Sequence, residues 1–245
     1  MIRLYRGGLD DKLHQRLSDA TGLIRAKRTH ATRVTRARDL WKARRSIRTP
    51  LKAALTRFAA GRARCMYCGD NQGADIDHHD PLARSPLRTF TWTNHLLACS
   101  VCNSHHKREA FPTADDGTPL LLDPTVDDPL DHLTLALSIG LYHPTTERGR
   151  VTIEICALNR DLLTRGRQAA YESMSALLHR WRDLYDEGDS TARTALERVI
   201  VEQPFADVVH AMIRYSDAPG ATEVFADRPH VLQVLTTPEF RAIIS

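Results

Sequence analysis

Four of the five cysteines in this 245-residue chain form two Cys-x2-Cys pairs, Cys65 with Cys68 and Cys99 with Cys102. Two thiolates at this spacing reach one metal ion from a tight turn, so two pairs supply the four ligands of a structural zinc site. Such a closed site has no coordination position for water, and the predicted Zn²⁺ is therefore structural, not catalytic. Cys156 is the fifth cysteine and belongs to neither pair, and we expect its side chain to be buried as a small apolar group.

The segment between and just after the cysteine pairs carries residues suited to hydrolysis of a phosphodiester bond. The Asp77 carboxylate can bind a hard divalent ion, and the adjacent His78 imidazole, with an ordinary pKa of about 6.5, can accept a proton from water at pH 7. We expect Asn94 to hold the loop that carries this imidazole. Asn103 directly follows Cys102, and its amide oxygen can bind the same ion.

The residues that follow one another here are Cys65-x2-Cys68, Ile76-Asp-His-His-Asp-Pro81, Trp92-Thr-Asn94, Cys99-Ser-Val-Cys-Asn103 and Lys107. This region resembles the HNH nuclease motif of the ββα-metal type, in the form whose ends are held together by a four-cysteine zinc site. The resemblance covers residues 65–111. It implies that Asp77 and Asn103 bind one Mg²⁺ or Mn²⁺ ion, with Asn103 standing at the last His position of the motif. It further implies that His78 is the general base, that Asn94 is the central asparagine, and that the protein cleaves nucleic-acid strands.

The tandem His78-His79 leaves a second register open, in which these two histidines are the ligand and the base. The family's Asp-His-x-x-Pro pattern, completed by Pro81, favours His78 as the base. Asp75 and Asp80 are then expected to be surface or turn carboxylates.

Four further polar residues lie close to the motif. His95 stands where the family has an aliphatic residue, and we expect it to be a strand residue that tolerates exposure; the alternative is an inward-pointing side chain that supports the site. His105, His106 and Lys107 follow the second cysteine pair on a predicted short helix. A solvated basic face is expected there, and the alternative is that one of the three residues reaches the metal or the scissile phosphate.

A second resemblance extends beyond the motif, through Phe111-Pro112, Leu122-Asp-Pro-Thr-Val-Asp-Asp-Pro129, Thr152-Ile153, Leu158-Asn-Arg160 and Arg167. These residues are similar to the HNH component of Septu-type bacterial anti-phage systems. In that family the nuclease works with an ATPase partner. The resemblance therefore implies a role in defence or restriction and an ATPase partner protein.

The charge is distributed unevenly along the chain. Residues 1–64 hold 18 Lys plus Arg against four Asp and no Glu, a net charge of +14, whereas the remainder carries −10. A basic arm next to a metal site indicates a polyanionic ligand, because each neutralised phosphate releases counterions. We predict nucleic acid, with DNA favoured, and a solvated helix face is the alternative. The predicted phosphate contacts are Arg62, Arg64, Arg84, Arg88 and Lys107.

The elements that position these residues follow from the apolar pattern. Interrupted helices are predicted over residues 9–48. Because residues 29–35 contain few apolar side chains that could pack on the rest of the protein, we expect this arm to become ordered when it binds its ligand. Thr49-Pro50 predicts the N-cap and first turn of a helix that ends at Gly61. Strands are expected at residues 74–79 and 94–98, and a short helix at 102–110.

The C-terminal half is predicted to form helices that either pack on the nuclease core or dock a partner protein. From residue 116 it holds 12 Arg and no Lys against 20 acidic residues, a net charge of −8. An apolar stripe predicts a long helix over residues 159–188. Shorter helices are expected at 192–202, 205–215 and 229–244, and residues 151–158 suit either a strand or the approach to a helix.

Together these patterns predict a mostly α, α+β protein: a basic helical arm (1–61), a ββα-metal nuclease core with a four-cysteine zinc staple (62–115) and a helical C-terminal region (116–245). The chain is 42% hydrophobic, and no apolar run approaches the roughly 20 residues that span a bilayer, so we expect a cytoplasmic protein with no membrane partner. The alternative function is a non-catalytic zinc module that binds nucleic acid or scaffolds a partner.

Overall fold

The computed structural model describes residues 1–244, which form mainly helices together with two small antiparallel sheets. The helices are α1 (Asp11–Arg25), α2 (His30–Ala43), α3 (Arg45–Thr56), α4 (Glu147–Ile155), α5 (Asp161–Asp186), α6 (Ser190–Glu202), α7 (Ala206–Ser216), α8 (Ala221–Val224), α9 (Pro229–Leu235) and α10 (Pro238–Ile244). The strands are β1 (Asp75–His78), β2 (His95–Ala98), β3 (Leu133–Ala136) and β4 (Leu141–Pro144). The mostly helical α+β class predicted from the sequence is confirmed. Ser245, the last residue of the predicted C-terminal region, lies outside the described residues.

The first sheet is a hairpin of β1 and β2, in which Asp77 lies opposite Leu96 and His78 opposite His95. Successive side chains of a strand point to opposite faces, so Asp77 and His78 serve different sides of the sheet. After β2, residues Val101–Lys107 form a π-helical segment where an ordinary short helix was expected. Helices of this type are rare and occur frequently at functional sites.

The basic arm forms three helices, including the stretch at 29–35 for which the sequence showed few apolar anchors. Thr29 and Thr32 form a reciprocal capping box at the start of α2, which fixes the Thr- and Arg-rich stretch. A separate apolar cluster, including Leu13, Leu40 and Ile47, joins the three arm helices. The cluster reaches the residues between β1 and β2, so the arm packs directly on the hairpin.

Helix α3 begins earlier than the sequence predicted. Its first residue is Arg45, and Pro50 lies inside the helix instead of in its first turn. Proline has no backbone N–H, so the carbonyl of Ser46 receives no helical hydrogen bond from that position. The Arg16 guanidinium lies 3.5 Å from this carbonyl oxygen and supplies a donor in its place.

The second sheet, β3 with β4, was not predicted. The turn between its strands contains Gly140 at a φ of +66°, where a Cβ atom would lie 2.0 Å from the Thr164 carbonyl oxygen of α5. Residues 151–158, left open between strand and helix, lie partly in α4. The single helix predicted at 229–244 is instead two helices, α9 and α10, separated near Thr236.

The C-terminal helices and the cysteine-bearing segment share one apolar core. Trp181 of α5 is fully buried there, as are Tyr67 from the first cysteine turn and Leu97 of β2. This packing was one of the two roles expected for the C-terminal half. Among residues 1–244, no helix combines the length and the apolar character needed to span a bilayer.

Candidate functional site

The four predicted zinc ligands come together in one cluster. Their sulfur atoms all lie within 4.8 Å of one another, and all four side chains are buried. The Cys68 and Cys99 sulfurs are 4.0 Å apart, close to the roughly 3.8 Å edge of a tetrahedral zinc–thiolate site with bonds of about 2.3 Å. Within residues 1–244 this is the only group of three or more His, Cys, Asp or Glu side chains placed to bind one ion. The cluster is compatible with zinc binding.

Local backbone geometry brings the two cysteine pairs together. The first pair turns at Gly69, whose φ of +69° favours glycine. Next to Cys65, the Met66 amide donates to the Leu97 carbonyl at 2.8 Å, which ties this turn to β2. Cys99 directly follows β2, and its carbonyl accepts from the Asn103 amide at 2.9 Å. The cluster therefore joins the hairpin to the π-helical segment.

Hydrogen bonds among the four sulfurs lower the pKa values of Cys68 and Cys99 and, together with burial, raise those of Cys65 and Cys102. Hydrogen bonds, first from Cys102 and then from Cys65, lower the pKa of Cys68 to about 6. The Arg160 guanidinium lies 3.8 Å from the Cys102 sulfur. Sequence reasoning gave Arg160 no role at the metal, although the Leu158-Asn-Arg160 motif had singled it out.

Asp77, the predicted ligand of the catalytic ion, is 3% exposed and already has two partners. The Tyr67 hydroxyl donates to Oδ2 at 2.6 Å, and the Lys107 ammonium donates to Oδ1 at 3.1 Å. Lys107 also donates to the His78 carbonyl oxygen at 2.9 Å. Burial, and next the charge of Asp77, raise the pKa of Tyr67 well above its ordinary value. The carboxylate is thus held by an internal cation and a hydroxyl.

Lys107 therefore does not occupy the surface position predicted for it. Its side chain is fully buried, so it is not available to a nucleic-acid phosphate in this arrangement. The π-helical segment carries it inward to Asp77. The neighbouring His105 and His106 are exposed, in keeping with a solvated basic face.

His78 lies on the opposite face of β1, against α2. Its Nε2 is 3.0 Å from the Thr89 carbonyl oxygen, and a carbonyl can only accept, so Nε2 carries the hydrogen and Nδ1 has a free lone pair. The ring meets Trp41 edge-on at a centroid distance of 4.4 Å. Burial lowers the pKa of His78, partly offset by Asp77, and the imidazole is neutral at pH 7.

His95 is completely buried, which contradicts the expectation of an exposed strand residue. Its Nε2 lies 2.9 Å from the same Thr89 carbonyl oxygen that His78 uses. Trp41 stacks on its ring at 5.5 Å, with the planes 9° apart. Burial, and next the neighbouring His78, hold the pKa of His95 well below 6.5.

Asn94 is fully buried and ties the loop after β1 to the start of β2. Its amide oxygen accepts from the Asp80 backbone N–H at 2.8 Å, and its amide nitrogen donates to the Asp80 carbonyl at 2.9 Å. The same nitrogen is 3.2 Å from the Arg88 carbonyl oxygen. His79, the alternative register residue, points elsewhere and contacts the Leu122 carbonyl oxygen at 3.3 Å.

Asn103 lines a polar cleft of about 450 Å³ between the hairpin and the arm. Asp75, the first residue of β1, lines it too, in keeping with the expected surface carboxylate. The opposite wall comes from α2 and α3 and carries Trp41, Arg45, Arg48 and Lys52. Sequence reasoning did not single out these residues, although Arg45, Arg48 and Lys52 are spaced i, i+3 and i+7 and therefore share one helix face.

The remaining predicted phosphate contacts fall into two pairs. Arg84 and Arg88 are about half exposed and flank the buried Asp80 carboxylate, with Arg88 at 3.0 Å and Arg84 at 3.7 Å. Arg62 forms an ion pair with Glu202 of α6 at 2.7 Å. Arg64 donates to the Asp70 carbonyl oxygen at 2.6 Å. None of these four arginines lines the cleft beside Asn103.

Comparison with curated proteins shows similarity to a Septu protein. No family model matches the chain. Over 91 residues the chain is 31% identical to the Septu protein PtuB of Bacillus mycoides (strain KBAB4), and the match covers 32% of this chain and 31% of the relative. The chain thus spans about a third of the length of the relative that it matches.

Proposed function

We propose that this chain is a metal-dependent HNH endonuclease that hydrolyses phosphodiester bonds of nucleic acid, with DNA the favoured substrate, in bacterial anti-phage defence. The observation that carries the proposal is that Asp77, His78 and Asn103 lie on a hairpin and a helical segment joined by four clustered cysteines. The 31% identity to a Septu protein supports the defence role. In this proposal residues 62–115 are the ββα-metal core, 1–61 the nucleic-acid arm and 116–245 the packing or docking region.

His78 acts as the general base in the proposed reaction. Its Nε2–H is anchored on the Thr89 carbonyl oxygen at 3.0 Å, which leaves Nδ1 to take the proton from the attacking water. Because burial lowers its pKa, the ring is in the neutral form that a base requires at pH 7. The Trp41 ring at 4.4 Å fixes the orientation of the imidazole.

Asn94 has a positioning role. Its three hydrogen bonds hold the backbone of Asp80 and Arg88. Thr89, which anchors His78, directly follows Arg88, so the amide fixes the carbonyl on which the base depends. Arg84 and Arg88 lie on the outside of this loop and remain the proposed phosphate contacts there.

Two ions belong to the proposal. The four sulfurs suit Zn²⁺, and the oxygen donors of Asp77 and Asn103 are of the kind that Mg²⁺ and Mn²⁺ prefer. When bound, the divalent ion supplies positive charge that stabilises the leaving oxygen. The Lys107 ammonium lies 3.1 Å from Asp77 Oδ1, so Lys107 would have to move away before an ion could bind at this oxygen.

The proposal is tested by cleavage assays on purified protein with added Mg²⁺ or Mn²⁺. His78→Ala and the more conservative His78→Gln are compared with His143→Ala, an exposed histidine on β4. Loss of a general base is expected to lower the rate by about 10²- to 10⁴-fold. Zinc content and circular dichroism identify variants that have not folded. Cleavage at the wild-type rate by a folded His78 variant would refute the assignment.

A non-catalytic zinc module that binds nucleic acid is the second candidate. Two observations favour it: Asp77 and His78 lie on opposite faces of β1, and both oxygens of Asp77 already have partners inside the protein. This candidate predicts nucleic-acid binding without cleavage under any divalent ion, also when the neighbouring gene product is present. Asp77→Asn would then leave function intact, whereas a nuclease loses activity.

We further propose that the C-terminal region docks a partner protein, an ATPase by the Septu resemblance. The region carries a net charge of −8, which repels phosphates. It also exposes apolar side chains, among them Leu162 on α5 and Val199 on α6. Co-expression with the neighbouring gene, followed by a mass measurement of the complex, tests this. A lone monomer with full activity would count against it.

A further inference from the structure

The cleft beside Asn103 has one wall of unpaired positive charge. Arg45, Arg48 and Lys52 line it from α3, and none of them has an ion pair with an acidic side chain anywhere in residues 1–244. By contrast, Arg84 and Arg88 share the Asp80 carboxylate. Cations held together without an ion-pair partner repel one another, and an anionic ligand relieves that repulsion.

The same wall contains a buried donor without a partner. The Nε atom of Arg48 is buried and has no hydrogen-bond partner, although one terminal nitrogen of its guanidinium lies 3.3 Å from the Lys42 carbonyl oxygen. Buried polar groups in folded proteins almost always have a partner. A phosphate oxygen bound between Arg48 and its neighbours supplies the missing acceptor.

The lining of the cleft also includes an aromatic ring. Trp41 lines it, and its ring is braced by His95, stacked at 5.5 Å, and by His78, edge-on at 4.4 Å. A rigid indole in a basic cleft is the arrangement on which unpaired bases stack. Bases inside a duplex are already stacked on their neighbours, so their faces are not offered to a protein ring.

We propose that this cleft binds a single-stranded nucleic-acid segment, with a base stacked on Trp41 and the flanking phosphates on Arg45, Arg48 and Lys52. The inference rests on the proposed function in one respect: a strand bound on Trp41 lies beside His78, the proposed general base. Asp75 on the hairpin side repels phosphates, and the backbone therefore runs along α3. DNA and RNA strands share this chemistry.

Equilibrium binding measured by fluorescence anisotropy tests the inference. Labelled single-stranded DNA, single-stranded RNA and duplex DNA of equal length are compared without added divalent ion, so that no cleavage occurs. We expect at least one single strand to bind tenfold or more tightly than the duplex. Equal or tighter binding of the duplex would overturn the inference. Whichever single strand, DNA or RNA, binds with the higher affinity shows which sugar the cleft prefers.

Substitutions locate the binding. Arg45→Ala combined with Lys52→Ala is expected to weaken single-strand binding and to reduce the slope of log K against log salt by about 1.4, or about 0.7 for each phosphate that is no longer neutralised. The matched control is Arg198→Ala, an exposed arginine on α6. If the double variant and this control have the same affinity and salt slope, the cleft is not the binding site.

Trp41 gives a separate readout. Trp41→Ala is expected to weaken single-strand binding roughly 5- to 150-fold, the range for loss of one stacked base. Because Trp41 also packs on two histidines, Trp41→Phe serves as the variant that keeps an aromatic ring. Base stacking quenches tryptophan fluorescence, and the quench on single-strand binding should disappear in Trp41→Phe. A quench of wild-type size in that variant would contradict stacking on this ring.

The outcome separates the inference from the proposed nuclease activity. Single-strand binding that depends on Arg45 and Trp41, in a protein that cleaves nothing, leaves the inference standing and removes the nuclease proposal. Cleavage that depends on His78, in a protein that binds duplex equally well, does the reverse.

Discussion

Replacing Lys107 with methionine removes the ammonium beside Asp77 and keeps a side chain of similar length. Both members of this ion pair are essentially buried, with side-chain exposures of 0% and 4%. The variant leaves Asp77 with the Tyr67 hydroxyl as its remaining partner, and it also leaves the His78 carbonyl oxygen without the donor at 2.9 Å. Breaking a buried pair by deleting one partner costs about 3–5 kcal/mol of folding free energy. We expect Lys107→Met to lose stability within this range.

The same variant tests whether Asp77 is a cation site. Without the ammonium, a divalent ion has no competitor at Oδ1, so millimolar Mn²⁺ is expected to stabilise Lys107→Met more than the wild type. An ion at 100 times its dissociation constant contributes about 2.7 kcal/mol to the folded state. The double variant Asp77→Asn with Lys107→Met has lost the carboxylate, and we expect Mn²⁺ to leave its stability unchanged.

Urea unfolding followed by circular dichroism, with and without Mn²⁺, measures these free energies. Lys12→Met, an exposed lysine on α1, is the matched control and should change stability by less than about 0.5 kcal/mol. A loss below about 1 kcal/mol for Lys107→Met would show that the buried pair does not exist as described. A Mn²⁺ effect equal in all variants would refute Asp77 as the ligand.

Three further predictions concern the metal cluster, the histidines and the loop. Cys68→Ser is expected to abolish the one zinc ion per chain that mass spectrometry of the native protein should detect, and to destabilise the fold. Burial holds the pKa of His95 below 6.5. As the pH is lowered below about 6.5, His95 therefore binds a proton in the unfolded chain but not in the folded protein. The free energy of unfolding then decreases by up to about 1.4 kcal/mol for each pH unit through this group. His95→Phe should reduce that slope in a pH series of urea titrations, and an unchanged slope would contradict the assignment. Asn94→Ala leaves the buried Asp80 backbone groups unpaired and should cost about 1–3 kcal/mol for each group in the same assay.

Local patterns were sufficient for part of this architecture. The cysteine spacing predicted a cluster that the structure contains, because each pair needs only one tight turn. The long helix α5 was predicted because Met174, Trp181 and Leu184 repeat on one face, and all three are buried. These features depend on residues close together in the sequence.

Features set by distant contacts were missed. Lys107 is buried because its partner Asp77 lies 30 residues away, whereas its own neighbours in sequence are exposed histidines. Pro50 was placed at a helix start by its local preference, but packing of Ile47 and Leu51 extends α3 on its N-terminal side. The capping box of Thr29 and the apolar cluster of the arm were not recognised from the sequence. The cleft at α3 exists only because the arm packs on the hairpin.

Pro50 also affects how the wall of the cleft can deform. The helix lacks one backbone hydrogen bond at this residue, and helices bend most readily at such points. Arg45 and Arg48 precede the proline, whereas Lys52 follows it. A bend of α3 at this joint would change the separation between the first two cations and the third without moving the ring of Trp41, which lies on another helix.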